Sequence, residues 1–88
     1  VPIIANFFGI LVRMRHGDHA PPHIHVEYQG HRAWVEIATG AVKAGSLPRK
    51  VSVLVREWCL AHRTELLEDW QLAQAYEPLR LIPGADHD

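Results

Sequence analysis

Two stretches of the chain alternate between apolar and polar residues with a period of two. From His23 to Gln29, Ile24, Val26 and Tyr28 fall on one side, and His23, His25 and Glu27 fall on the other. From Arg32 to Ala38, Ala33, Val35 and Ile37 oppose Arg32, Trp34 and Glu36. This is the pattern of half-buried strands, and Gln29-Gly30 between them supplies a turn. A two-residue loop sets His25 opposite Trp34 and His23 opposite Glu36. A four-residue loop sets His25 opposite Glu36. Both registers keep the same residues on the same face, because only a one-residue slip would flip them.

Upstream, Phe7 to Arg15 is rich in β-branched and aromatic residues and reads as one strand. Phe8, Ile10, Val12 and Met14 share one face; Phe7, Leu11, Arg13 and Arg15 share the other. The following loop holds Gly17, Asp18, His19 and the pair Pro21-Pro22. Thr39-Gly40 turns the chain into a short segment, Ala41 to Ala44. Beyond Ser46-Leu47-Pro48, which has the form of a helix start, Val51, Leu54, Val55 and Trp58 recur at helical spacing. Leu66, Leu67, Trp70 and Ala73 do the same. No Gly or Pro interrupts Arg49 to Tyr76, so one long helix or two are both open. Two helices, or a kink near His62-Arg63 with Thr64 as N-cap, are favoured because a single helix would be long for so small a protein. Leu79 to Ile82 is apolar and suits an edge segment, and Pro83 to Asp88 is expected to fray.

The expected architecture is α+β. A small antiparallel sheet of three to four strands (residues 1–45) precedes a helical part (46–76) and a tail (77–88), all in one domain. The helices cover one sheet face, where Ile24, Val26, Val35 and Ile37 meet Val51, Leu54, Val55 and Trp58. The other face then carries His23, His25, Glu27, Arg32, Trp34 and Glu36, joined by Arg13 and Arg15.

Composition narrows the class. At 88 residues, 48% hydrophobic and 22% charged, the chain is neither a disordered tail nor a collagen-like repeat. The longest charge-free stretch, Val1 to Val12, is too short to span a bilayer, and no signal-peptide layout is visible. The lone Cys59 rules out an internal disulfide and fits a reducing, cytoplasmic compartment. Net charge is −1, but residues 64–88 set Arg80 against six carboxylates for a local −5, leaving +4 on residues 1–63. Five of the seven histidines fall between His16 and His31.

That polarised, histidine-rich half carries the candidate chemistry. His23 and His25, two apart on a strand, leave the same face about 6.6 Å apart along the backbone. Metal binding is one reading, with His19 completing a His19, His23, His25 set and Asp18 or Glu36 as further donors to zinc or another divalent ion. Metal-free cleavage of RNA is a second. It uses His23 and His25 for proton transfer, Glu36 or Glu27 to orient them, and Arg13, Arg15 or Arg32 on the phosphate. Trp34 would stack a base. A third reading is a partner surface built on Trp34, Arg32 and the Tyr28-Gln29 tip. Each residue also has a plain structural role: Asp18 as a turn former, Glu27 with Arg32 as a surface pair, and Trp58, Trp70 and Cys59 as core.

Three stretches carry a family resemblance: Pro2-Ile3-Ile4-Ala5-Asn6-Phe7-Phe8-Gly9-Ile10; Asp18-His19-Ala20-Pro21-Pro22-His23-Ile24-His25-Val26-Glu27-Tyr28; and Leu47-Pro48 with Glu57-Trp58 and Glu65 to Trp70. They resemble the bacterial family known as domain of unknown function number 4160, and the D-H-x-P-P-H-x-H-V run is the specific part. The resemblance implies a small bacterial cytoplasmic protein. Members are often encoded beside a second small protein, as in a toxin–antitoxin pair, so a small protein partner is expected. It implies no catalytic residues.

Overall fold

The computed structural model describes residues 2–86. Five strands form one antiparallel sheet in chain order: β1 (Ile3–Phe7), β2 (Ile10–Arg13), β3 (His23–Tyr28), β4 (His31–Glu36) and β5 (Val42–Gly45). Two helices follow, α1 (Arg49–Ala61) and α2 (Arg63–Gln74).

The fifth strand corrects the expectation of three to four: it is β1, Ile3–Phe7, which lies almost wholly ahead of the strand expected from Phe7 to Arg15 and pairs with β2 as a hairpin. Phe8 and Gly9 both take positive φ, 51° and 76°, the geometry of a two-residue turn whose twist matches its strands. Phe7 therefore turns into the core (1% exposed), while Phe8 sits at the turn, 54% exposed. That reverses the expected facing of these two rings. Ile10, Val12 and Met14 are buried as the alternation requires. A bulge between Ile3 and Ala5 lets both Ile4 and Ala5 face inward.

The β3–β4 hairpin adopts the two-residue loop, with His23 opposite Glu36, His25 opposite Trp34 and Glu27 opposite Arg32. Ile24, Val26, Val35 and Ile37 are wholly buried against Val51, Val55, Trp58, Cys59 and Leu66. The helical stretch does divide at His62 (φ −113°, ψ 25°), whose amide still donates to the Trp58 carbonyl. Thr64 lies inside α2 and is not its cap; His62 holds that position and its Nδ1 meets Glu65 Oε1 at 2.7 Å. Leu67 points outward, 38% exposed. Burial pushes the Cys59 thiol up to about 12, as befits a core residue.

The tail is tied down as far as it is described, against the expectation of fraying; residues 87 and 88 lie outside the described residues. The Ile82 amide donates to the Ile4 carbonyl at 2.8 Å, so Leu79 to Ile82 lies along the β1 edge without forming a strand. Trp58 Nε1 donates to the Pro83 carbonyl, and Asp86 accepts the Phe8 amide. No helix among the described residues is long and apolar enough to cross a membrane.

One buried acid stands out. Asp69 on α2 is 1% exposed; its Oδ1 accepts the Arg80 amide at 2.9 Å, and its Oδ2 has no hydrogen-bond partner among the described residues. Burial pushes its carboxyl above the usual range, against the opposing pull of the Arg80 amide and guanidinium. An acid whose folded value is raised loses folded-state stability as pH rises from its unfolded value through the folded one. Asp69→Asn, which keeps an acceptor for Arg80, is expected to stabilise the fold by about 1–3 kcal/mol at pH 7. The gain should shrink towards pH 4, as followed by thermal unfolding at both pH values.

Candidate metal and anion site

Three donor atoms converge beside the start of β3. Asp18 Oδ2 lies 3.0 Å from His23 Nε2 and 3.0 Å from His25 Nε2, and the three atoms all fall within 4.8 Å of one another. The two histidines leave the same side of the strand with ring centroids 5.1 Å apart, as the alternation predicts. They are not equally exposed. His25 is partly open, whereas His23 is 3% exposed, which corrects the expectation that both project into solvent. The His23 ring stacks on Trp34 (4.2 Å, 10° between planes) and meets Trp70 of α2 at 5.4 Å. The helical layer therefore reaches the histidine side through Trp70, a contact between remote segments that strand periodicity does not signal.

Hydrogen bonding decides which nitrogen of His23 carries its proton. Nδ1 lies 2.8 Å from the Pro21 carbonyl oxygen, which can only accept, so Nδ1 is the donor. Nε2 faces the Asp18 carboxylate, as a donor when the ring is charged and as a lone pair when it is neutral. Burial would raise the Asp18 carboxyl. The His25 hydrogen bond, the His19 amide at 2.9 Å and the charges of His23 and His25 outweigh it and hold Asp18 below the usual carboxylate range.

The loop that presents Asp18 is held by the end of α2. The Gly17 amide donates to the Ala73 carbonyl at 3.1 Å, and Gln74 Nε2 donates to the Asp18 carbonyl at 3.0 Å. His16 Nε2 donates to the Glu77 carbonyl at 2.9 Å, and its ring stacks on Tyr76. Gln74, Tyr76 and His16 are thus supporting residues that sequence reasoning missed; no local pattern links them to Asp18.

His25 also lines an open groove of about 500 Å³ on the outer sheet face. Arg13, Arg15, Glu27, Arg32 and Trp34 share its lining, and at the β5 side the wall is Ala44 and Gly45. Arg13 Nε is paired with Glu27 Oε2 at 2.9 Å. Among the expected site residues, therefore, Asp18, His23 and His25 form one cluster, and His25 joins it to Arg13, Arg15, Arg32, Glu27 and Trp34. Two expected residues stand apart. The His19 side chain is not in the cluster, so Asp18 replaces it in the expected metal set. Glu36 turns to the Thr39 hydroxyl (2.9 Å) and to Lys43 (3.9 Å).

Fold and site together define a small α+β protein with a two-histidine, one-carboxylate cluster at the rim of an arginine-bearing groove. Residues 9–71 match the family described as domain of unknown function (DUF4160), and the chain belongs to that family. No curated protein and no solved structure matches the chain.

Gly17 gives a direct handle on the loop. It sits at φ 67°, and a Cβ there would run into the Tyr76 hydroxyl and ring. Gly17→Ala is expected to cost about 1–3 kcal/mol, read from chemical denaturation. It should also shift the His23 and His25 ring resonances, because Asp18 moves with the loop.

Proposed function

We propose that the protein is a metal-binding protein whose centre is Asp18, His23 and His25, and that the ion is a divalent first-row transition metal such as zinc. The observation that carries this reading is the convergence of His23 Nε2 and His25 Nε2 on one oxygen of Asp18, with His23 buried and its ring fixed through Nδ1. A divalent ion would take all three donor atoms, which lie within 4.8 Å of one another, in place of the protons that otherwise hold them together. Metal-binding histidines characteristically donate their second ring nitrogen to a carbonyl or carboxylate, as His23 does to Pro21. Two imidazoles and one carboxylate suit zinc, iron or cobalt better than magnesium or calcium, which prefer oxygen donors throughout. Three protein ligands leave a coordination position open, the arrangement of reactive rather than structural centres.

A second reading rests on His25 alone. Its hydrogen bond to Asp18 orients it at the groove wall, the arrangement of a proton-transfer group acting without metal, as a small ribonuclease would use.

Stripping the protein with chelator and titrating it with Zn²⁺ or Co²⁺ in a calorimeter separates the readings. One ion per chain is expected. His25→Ala and Asp18→Ala should each weaken uptake at least tenfold, whereas His19→Ala should leave it unchanged. Absent uptake, or uptake that survives loss of both Asp18 and His25, contradicts the metal centre.

A further inference from the structure

The groove beside the cluster has a cationic, aromatic character that the metal centre does not use. Three arginines reach it from two strands and the loop after β2, and His25 sits between them. Arg13 is balanced by Glu27, but Arg15 and Arg32 are exposed and make no ion pair among the described residues. A pair of unbalanced guanidiniums facing one groove favours an anion, and guanidinium geometry favours phosphate in particular.

Trp34 narrows the class of anion. It lies on β4 directly opposite His25, half-buried, with its ring held by near-parallel stacking on His23. A ring fixed in one orientation is a stacking platform whose rotational freedom is already lost. The groove crosses β2 to β5, three strand spacings of about 4.8 Å each, which is room for two or three nucleotides rather than for a duplex. A duplex-binding surface neutralises many more phosphates than two or three arginines can reach. Cationic track and aromatic platform together are how sequence-tolerant proteins hold single strands.

We propose that this groove binds the phosphodiester backbone of a single-stranded nucleic acid, with Arg15 and Arg32 on phosphates and Trp34 against a base. The inference deepens the metal-centre reading and rests on it only for what the strand meets at His25. There the backbone would lie beside the Asp18, His23, His25 cluster.

The test is fluorescence anisotropy with labelled eight-nucleotide RNA and DNA of one sequence, at several salt concentrations, in chelator and in added Zn²⁺. Binding of at least one oligonucleotide is expected in both conditions. The exposed pair Arg15→Gln with Arg32→Gln should weaken it at least tenfold. It should also reduce the logarithmic salt slope by about 1.4, near 0.7 for each phosphate that no longer has its arginine. Trp34→Leu should weaken binding with the salt slope unchanged. Arg56→Gln, an exposed arginine on α1 outside the groove, should bind as the wild type. No binding at low salt, or equal losses from Arg56→Gln and the groove pair, overturns the proposal. Far-UV circular dichroism confirms that each variant is folded. Elemental analysis of the same samples keeps the two readings apart. Oligonucleotide binding without metal uptake overturns only the metal centre, and uptake without oligonucleotide binding overturns only the groove.

Discussion

The hydrogen bond from His23 Nδ1 to the Pro21 carbonyl is the constraint on which the site depends. It fixes the tautomer, and stacking on Trp34 with contact to Trp70 fixes the ring. With both settled, Nε2 has one direction to point, towards Asp18. A solvent-exposed histidine would choose its tautomer and rotamer to suit the carboxylate. A buried one, already committed through its other nitrogen, cannot, and so its Nε2 stays on a carboxylate that is itself held below the usual range. This fixed geometry is what the proposed metal centre rests on.

The rest of the fold serves to bring Asp18 to that nitrogen. The loop carrying it leaves β2 and returns into β3, but its position comes from the far end of the chain. Ala73, Gln74 and Glu77 take or give hydrogen bonds to Gly17, Asp18 and His16. The Ile37 amide donates to the Pro22 carbonyl at 3.1 Å and holds the loop's exit against the end of β4. Loss of order at the end of α2 would therefore reach the site before it reached the core. The groove has a simpler origin. Strand alternation puts Arg13, His25, Trp34 and Arg32 on one side, and the small side of β5 leaves space beside them.

Much of this was legible along the chain. The alternation of Ile24, Val26, Val35 and Ile37 with His23, His25, Trp34 and Glu36 determined the facing, because one slip would bury charges. The division of the helical stretch at His62 followed from length alone. What escaped were features set between remote segments or by unusual turn chemistry. Phe8-Gly9 lacks the Asn or Asp that marks a two-residue turn, so its hairpin looked like continuous strand. His19 seemed as good a ligand as Asp18, since loop side chains follow no period and the α2 contacts that choose between them lie more than fifty residues away. The burial of His23 depends on Trp70, and that of Asp69 on the returning tail, neither of which local pattern encodes.

The most direct measurement is a long-range ¹H–¹⁵N spectrum of the imidazole rings, recorded on the metal-free protein and again with one equivalent of Zn²⁺. The account predicts a protonated Nδ1 on His23 in both states. It also predicts that the His23 Nε2 resonance moves, together with that of His25 Nε2, when the ion is added. A His23 ring protonated on Nε2 instead of Nδ1, or two Nε2 resonances indifferent to zinc, would contradict it.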